Sequence, residues 1–419
     1  MERAELSRVL RTWLSGELGA RSAEPKLISE TDPARFMAAF AEATASEADV
    51  FLCDPHWGTT GKERVTTLLQ SSGQDPRSHT SLGWLMIPTG GSGGRLQFAR
   101  HDQDTIAAAV RGFTQHFSLK QVNAMGVLPL HHVSGFMPWM RCVLTGGEYR
   151  HLDWKAVEQG DLPDLPAKPD GWVLSVVPTQ LERLLRQPLA TEWLAEFRIV
   201  FLGGAAAGGG LLDRAAAALI PLAPGYGLTE TVAMVTALRP EEFLAGARSS
   251  GRALPHAQVD LTSDGTISVR GRSVFRGYYP KWLTTETLVT NDTGSFDERG
   301  HLVVLGRKDG VIISGGEKIQ PAEVEAVLRD RGGLTEVVVM GLADAEWGQI
   351  VVAAYPAVRQ PDQAKLQQVI NSHLLAPQRP KRLIAMESWP LTGPGKVNRA
   401  EVARLVRSSQ EANTKPRSS

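Results

Sequence analysis

Apolar residues follow two periods in the first half of the chain, one typical of strands and one typical of helices. Continuous apolar runs at 49–53 (DVFLC) and 84–88 (WLMIP) indicate buried strands. Apolar residues at helical spacing predict helices over 2–20, 33–48 and about 102–117. Strands that alternate with helices predict an α/β sheet whose ligand-binding loops follow the carboxyl ends of the strands.

The pattern changes in the second half of the chain. From about residue 250, short β-like runs (QVDLT, TISVRG, HLVVLGR) broken by Asp-Gly and Arg-Gly turns predict a small β-rich subdomain. After Gly306, strands combine with a helix PAEVEAVLRDR and a helix over 361–375 into an α+β unit. The predicted fold class is α/β. The predicted units are a large N-terminal domain of α/β layers with the β subdomain (1–307), a small mobile α+β C-terminal domain (308–406) and a disordered polar tail (407–419).

Charge and composition narrow the possible partners. The 45 basic and 45 acidic residues cancel, so there is no electrostatic reason to expect a nucleic-acid partner. Cys53 and Cys142 form no CxxC pair, which argues against a disulfide framework or a structural zinc site and fits a reducing compartment. The first 20 residues carry charges throughout, and no run reaches the roughly 18 apolar residues that a spanning helix needs. We therefore expect a soluble cytoplasmic protein without a membrane anchor.

A glycine-rich loop follows the apolar run at 84–88. Its sequence, TGGSGG, allows successive backbone N–H groups to point at one anion, and its two hydroxyls can add hydrogen bonds. We expect a strand before it and a helix after it, the context in which a phosphate site is credible. It matches neither the Walker nor the dinucleotide pattern, and the alternative is a flexible surface turn. The loop residues are Thr89, Gly90, Gly91, Ser92, Gly93 and Gly94.

A second candidate site is YGLTETV at 226–232. Tyr226 could stack on a base, Thr229 could contact a phosphate, and Glu230 could bind Mg²⁺, which prefers oxygen ligands. The alternative is the start of a helix, with Thr229 as its cap and Glu230 in its first turn.

Three charged residues farther along the chain also suit a nucleotide. Asp292 could accept hydrogen bonds from two ribose hydroxyls with Arg307 nearby; the alternatives are a β-turn residue and a surface ion pair. Lys396 follows the loop Thr392–Gly395 and could reach a phosphate as a point charge, or could be an ordinary solvated lysine.

Seven blocks occur in one order between about residues 84 and 405: PTGGSGG, PLHHVSG, FLGGAA, YGLTET, NDTGSFDERG, GRKDGVIISGGEKIQPAEVE and LTGPGKVNR. This set resembles the adenylate-forming superfamily of acyl-CoA synthetases, luciferases and peptide-synthetase adenylation domains. Three stretches, LPLHHVSGFMPWMRCVLTGG, SVVPTQLERLL and GRALPHAQV, look like the short, cyanobacterial-type 2-succinylbenzoate–CoA ligases of menaquinone and phylloquinone synthesis. Only about 85 residues precede the glycine-rich loop, so we expect a trimmed N-terminal subdomain.

The resemblance implies a two-step ligase that uses ATP, Mg²⁺ and coenzyme A on a small carboxylic acid. It implies catalytic roles for Lys396, Thr229 and Glu230, with Glu230 also binding the metal, and a hinge at Asp309. It implies acid binding by His132, Ser134, Gly135 and Arg183, the last as a partner for a second carboxylate. It implies nucleotide or coenzyme A binding by the loop residues 89–94 and by Gly204, Ala205, Ala206, Tyr226, Gly227, Asp292, Arg307, Gly315 and Gly316.

Several alternatives stay open at this point. His132 could be a core histidine, and Arg183 could be a surface helix arginine. The family's usual lysine after the glycine-rich loop is missing, and Arg95 or Arg100 could replace it. The acid could be another aryl or acyl acid, the acceptor could be a carrier protein, or the chain could be a non-catalytic binding relative.

Overall fold

The computed structural model describes residues 24–414, except 47, 58, 72–82, 91–95, 284, 315–316, 345–346, 359 and 393–394. The helix predicted over 2–20 lies outside these residues. No helix in the described part of the chain is both long and apolar enough to cross a bilayer.

The first sheet carries the glycine-rich loop. Its first three strands are parallel and the fourth is antiparallel to the third. A strand that the sequence did not predict, Leu96–His101, pairs along the whole length of Leu85–Gly90 and separates the loop from the helix predicted at about 102–117. The elements are β1 (Lys26–Ile28), α1 (Pro33–Ala45), β2 (Val50–Leu52), α2 (Thr59–Ser71), β3 (Leu85–Gly90) and β4 (Leu96–His101).

The central sheet of the large domain has seven strands among the described residues. Five are parallel and two pair antiparallel at one edge, in the spatial order β11-β10-β9-β8-β7-β5-β6. The strands are β5 (Ala124–Gly126), β6 (Tyr149–His151), β7 (Val173–Val176), β8 (Ile199–Leu202), β9 (Leu222–Leu228), β10 (Ala233–Ala237) and β11 (Arg252–Ala253).

Helices cover both faces of this sheet, which explains why its central strands are apolar throughout. Val200 and Leu202 of β8 belong to one buried cluster, while Ile199 and Phe201 belong to another on the opposite face. Asp102 caps the first of these helices by accepting a hydrogen bond from the Thr105 N–H (3.0 Å). The helices are α3 (Gln103–Phe117), α4 (Val133–Thr145), α5 (Trp154–Glu158), α6 (Pro178–Leu184), α7 (Pro188–Ala195), α8 (Gly209–Ala217) and α9 (Pro240–Leu244).

The predicted β subdomain is a four-stranded antiparallel sheet. Asp292 lies inside its third strand, opposite Arg307, so the β-turn interpretation of Asp292 is wrong. Pairing with strands on both sides outweighs the local turn propensity of the sequence Asn-Asp-Thr-Gly. The strands are β12 (Ala257–Leu261), β13 (Thr266–Gly271), β14 (Thr287–Phe296) and β15 (Leu302–Arg307).

The small C-terminal domain is α+β, as predicted. Two helices pack on one face of its sheet and the last helix packs on the other. That last helix runs to Thr414, so the tail predicted to be disordered from residue 407 is helical up to that point; Val402 and Val406, one turn apart, anchor it against the sheet. The elements are β16 (Ile312–Ser314), β17 (Glu317–Ile319), α10 (Pro321–Asp330), β18 (Val338–Asp344), β19 (Gly348–Pro356), α11 (Gln363–His373), β20 (Arg382–Met386) and α12 (Arg399–Thr414).

Candidate active site

The candidate motifs meet at one edge of the central sheet. Gly204 follows β8, and the 3-10 turn Thr229–Thr231 follows β9, the neighbouring parallel strand. His132 follows β5, which lies two strands away from β8 in the same direction. Because the carboxyl ends of parallel strands share an edge, these residues line one cleft.

Lys396 of the small domain reaches into this cleft. Gly204 has a positive φ of 82°, and a β-carbon there would overlap the Nζ and Cε atoms of Lys396. Burial lowers the pKa of the Lys396 amine. The interpretation as an ordinary solvated lysine is therefore wrong, because the amine lies against the backbone of the large domain.

The loop that carries Lys396 is closed by its own hydrogen bonds and held by α6. Thr392 N–H donates to the Lys396 carbonyl (2.7 Å), and Gly395 N–H donates to the Thr392 carbonyl (2.8 Å). Thr179 Oγ1 donates to the Gly395 carbonyl (2.8 Å), a contact between the two domains. These bonds fix the backbone on both sides of Lys396 and so position its amine.

A second contact between the domains fixes the same arrangement. Both carboxylate oxygens of Asp330, at the end of α10, accept hydrogen bonds from backbone N–H groups at the start of α8, one from Gly209 and one from Gly210 (3.1 Å each). Negative charge at a helix N-terminus is favourable. No local pattern predicts this contact, because the partners lie about 120 residues apart in the chain.

Asp292, Arg307 and Tyr226 form one group beside the cleft. Tyr226 Oη donates to Asp292 Oδ2 (2.7 Å), and the Arg307 guanidinium lies 3.6 Å from Asp292 Oδ1. Burial, followed by the charge of Asp292, raises the pKa of Tyr226, so its hydroxyl stays protonated and remains a donor. Asp292 and Arg307 thus lie side by side, and their binding of a ribose stays a prediction.

Glu230 lies on the short turn after β9, which is a 3-10 turn and not the start of an α-helix. Its Oε1 accepts a hydrogen bond from Tyr278 Oη (2.6 Å). The Thr229 carbonyl lies 2.8 Å from His101 Nε2. Neither Tyr278 nor His101 was predicted from the sequence. Tyr278 lies 48 residues after Glu230 in the chain, and His101 lies in β4 of the first sheet.

His132 is the N-cap residue of α4, and its ring is tilted by 50° against the ring of His131, with centroids 4.4 Å apart. Burial lowers the pKa of His132 to about 3 and that of His131 to about 4, so both rings are neutral at pH 7. Asp54 lies 3.7 Å from His131 Nε2. Asp54 is a third residue near the site that was not predicted from the sequence, because it follows the distant strand β2.

Two of the residues expected to bind the acid already have other contacts in the structure. Gly135 is buried, and a β-carbon there would overlap the Pro129 carbonyl, so close packing explains this glycine. Arg183 donates to Glu158 Oε1 (2.8 Å), so its charge already has a partner and its role toward the acid stays a prediction.

Arg100 does not replace the missing loop lysine. Its guanidinium is buried between the rings of Tyr279 and Trp282, 4.6 and 4.5 Å from their centroids, and donates to the carbonyls of Gly83 and Pro280. A side chain held in this way is not free to meet a phosphate.

The structure places the remaining predicted residues as follows. Thr89 and Gly90 end β3, Gly227 lies in β9, and Ser134 lies half-buried in the first turn of α4. Ala205 and Ala206 are exposed after Gly204. Asp309 lies in a 3-10 turn over Lys308–Gly310. The residues outside the described part of the chain are Gly91, Ser92, Gly93, Gly94, Arg95, Gly315 and Gly316.

The fold and this cleft define an AMP-binding enzyme. The chain matches the family model "AMP-binding enzyme" over residues 18–279, more than half of its length, and the model "AMP-binding enzyme C-terminal domain" over residues 323–396. The chain therefore belongs to the AMP-binding enzyme family, and the predicted fold class and superfamily are confirmed.

Among its relatives, the chain is similar to two named 2-succinylbenzoate–CoA ligases. It is 34% identical to that of Listeria monocytogenes serotype 4b (strain F2365) over 281 residues, which cover 65% of this chain and 59% of the relative. It is 29% identical to that of Geobacillus kaustophilus (strain HTA426) over 425 residues, which cover 95% of this chain and 81% of the relative. The chain thus matches about three fifths of the length of the Listeria enzyme.

Among solved structures, the fold matches an o-succinylbenzoate–CoA synthetase of Bacillus subtilis, solved in complex with its acyl-adenylate intermediate. The TM-score is 0.77 at 20% sequence identity, and the match covers 96% of this chain and 92% of that chain. This similarity shows that the two chains share a fold.

Proposed function

We propose that the protein is an ATP-dependent ligase that converts 2-succinylbenzoate to its coenzyme A thioester, a step of menaquinone or phylloquinone synthesis. The observation that carries this proposal is the Lys396 amine, which the small domain places against Gly204 in the cleft of the large domain. The similarity to 2-succinylbenzoate–CoA ligases over 95% of the chain supports the choice of acid. Both cysteines are buried free thiols, which fits a cytoplasmic location.

The proposed reaction has two steps. A carboxylate oxygen of the acid attacks the α-phosphorus of ATP, the bond to the β-phosphate breaks, and pyrophosphate leaves. The thiol of coenzyme A then attacks the acyl carbon, loses its proton, and AMP leaves. Two anions meet in the first step, so a fixed cation at the meeting point lowers the barrier, and Lys396 is the residue placed to do this.

The residues at the Thr229–Glu230 turn fit a magnesium ion. A carboxylate and a hydroxyl are the hard oxygen donors that Mg²⁺ prefers, and Mg²⁺ in nucleotide enzymes commonly uses one or two carboxylates together with substrate phosphates. When bound, the ion would neutralise phosphate charge. The Asp292–Arg307 pair, with Tyr226 donating to Asp292, would orient the ribose.

The test of this function is product analysis with a panel of acids. We expect 2-succinylbenzoate to release pyrophosphate with ATP and to yield its coenzyme A thioester, identified by mass spectrometry. Benzoates and fatty acids should react at rates at least about tenfold lower, the discrimination expected when one polar contact is lost. Equal rates for these acids would show a broader acid–CoA ligase. Adenylate without thioester would favour loading of a carrier protein.

Gly204→Ala is expected to lower adenylate formation by about a hundredfold, the usual cost of displacing a catalytic group by about 1 Å. The new β-carbon would overlap the Lys396 amine, and the positive φ of 82° is unfavourable for alanine. ATP–pyrophosphate exchange measures the effect. Gly203→Ala is the matched control, because a β-carbon there would meet only the Gly225 carbonyl at 3.7 Å. Equal losses in the two variants would contradict the prediction.

A further inference from the structure

A segment outside the predicted motifs, residues 275–279, packs between β4 and the turn of Glu230. Residues 275–279 run beside β4, the strand that leaves the loop: Arg276 N–H donates to the Arg100 carbonyl (2.8 Å), and Tyr279 N–H donates to the Phe98 carbonyl (2.9 Å). At its start, Phe275 N–H donates to the Glu230 carbonyl (2.8 Å). The segment therefore contacts both the turn of Glu230 and the strand that follows the glycine-rich loop.

Within this segment, the Tyr278 side chain contacts Glu230 directly. Tyr278 Oη donates to Glu230 Oε1 (2.6 Å), and its ring packs edge-on against Phe275, with centroids 4.7 Å apart. A hydrogen bond to an ionised carboxylate is stronger than one between neutral groups.

The backbone of the same turn is held from the other side by His101. This residue is fully buried at the end of β4, and its Nε2 lies 2.8 Å from the Thr229 carbonyl. Because a carbonyl oxygen only accepts, Nε2 of His101 must carry the proton and donate it in this bond. Backbone and side chain of the turn are thus both fixed by donors from outside the motif YGLTE.

We propose that Tyr278 is a positioning residue that fixes the Glu230 carboxylate for magnesium binding at the nucleotide phosphates. The inference rests on the proposed function, because Glu230 as a magnesium ligand is part of it. Tyr278 holds one oxygen of the carboxylate and thereby restricts the last torsion of the Glu230 side chain. Without this bond the carboxylate must be ordered at the moment that the ion binds, which weakens binding.

The test is a calorimetric titration of ATP into the full-length protein without acid, so that no turnover occurs, first in EDTA and then at increasing Mg²⁺. For Tyr278→Phe, we expect unchanged ATP affinity in EDTA. The Mg²⁺ concentration that gives half of the affinity gain should rise about tenfold, the loss expected for one hydrogen bond to a charged group. Adenylate formation should show the same shift in its Mg²⁺ dependence.

Two further variants separate the hydroxyl from the ring and from general effects. Tyr278→Leu removes the ring as well. Tyr355→Phe removes the hydroxyl of a buried tyrosine in the small domain, where Tyr355 Oη accepts a hydrogen bond from Gln363 (3.3 Å). We expect Tyr355→Phe to match the parent. If Tyr278→Phe also matches the parent and only Tyr278→Leu is impaired, Tyr278 acts by packing and the proposal is overturned.

The remaining outcomes also decide the question. If Tyr278→Phe loses ATP affinity equally with and without Mg²⁺, the tyrosine shapes the nucleotide pocket and does not position a metal ligand. If the parent protein shows no Mg²⁺-dependent affinity for ATP, the proposed function fails together with this inference. If the parent shows that dependence and Tyr278→Phe retains it unchanged, the positioning role alone fails.

Discussion

Lys396→Met is expected to slow acyl-adenylate formation about a thousandfold, the upper range for loss of one preorganised charge at a reacting centre. The same variant should still form thioester from premade acyl-adenylate and coenzyme A, because the first step is then bypassed. ATP–pyrophosphate exchange measures the first step, and thiol consumption measures the second. Comparable losses in both would indicate that Lys396 supports the fold or the cleft in general.

The free energy of unfolding of Lys396→Met distinguishes a catalytic role of the amine from a role in stabilising the fold. Burial lowers the pKa of the Lys396 amine, so between that value and the ordinary lysine pKa the unfolded chain binds more protons and stability rises with pH. At neutral pH the folded state carries the cost of burying the charge. Lys396→Met removes this cost, so its free energy of unfolding should equal or exceed that of the parent. Lys365→Met, on the exposed face of α11, is the control and should leave both steps unchanged.

The same lowered pKa gives a pH dependence. The Lys396 amine loses its proton at a lower pH than an ordinary lysine, so the rate of adenylate formation should begin to fall earlier as pH rises. Thioester formation from premade adenylate should not show this fall.

Sequence reasoning found the strands that carry the cleft because each ends in an unusual local sequence. The apolar strand β8 runs into Gly203-Gly204, and β9 runs into the turn of Thr229 and Glu230. Apolar runs followed by glycine or hydroxyl residues are local features, and parallel α/β sheets place such loops at one edge. The fold class and the grouping of these motifs could therefore be predicted without coordinates.

The predictions that were wrong or missing share a different physical cause, which is packing between segments that lie far apart in the chain. The charge of Arg100 suggested a phosphate partner, but two aromatic residues about 180 positions later bury it. The turn-like sequence around Asp292 is overridden by pairing with β13 and β15. Tyr278 is 48 residues from Glu230, and no periodicity relates them. Such contacts depend on the whole fold, and one sequence does not display them.

The hinge between the domains is the second place where we expect a large effect. The observed arrangement places Lys396 in the cleft, where the proposed adenylate formation needs it, and the Thr179 and Asp330 contacts hold the small domain in this position. The predicted second step needs residues 315–316 of the small domain, about 80 positions before Lys396 in the chain. We expect the domain to rotate about the turn Lys308–Gly310, within which Asp309 was the predicted hinge.

The backbone of this turn determines where proline would lock it. Arg307, just before the turn, is extended (φ −97°, ψ 139°), which is the conformation favoured before a proline. Proline at 308, the first position of the turn, therefore fits the observed arrangement. Proline at 309 would instead disfavour the helical conformation of Lys308, so the hinge residue itself is the poorer position for trapping this state.

Lys308→Pro is expected to leave adenylate formation near the parental rate and to slow thioester formation about a hundredfold, since misplaced groups lose roughly that factor. Lys308→Ala is the matched control: it also removes the exposed ion pair with Asp264, whose contribution is small, but it leaves the backbone free. The two half-reactions, measured separately on both variants, test the hinge. Normal thioester formation by Lys308→Pro would show that the second step proceeds without rotation at this turn. Loss of both half-reactions would show that proline disturbs the arrangement in which the adenylate forms.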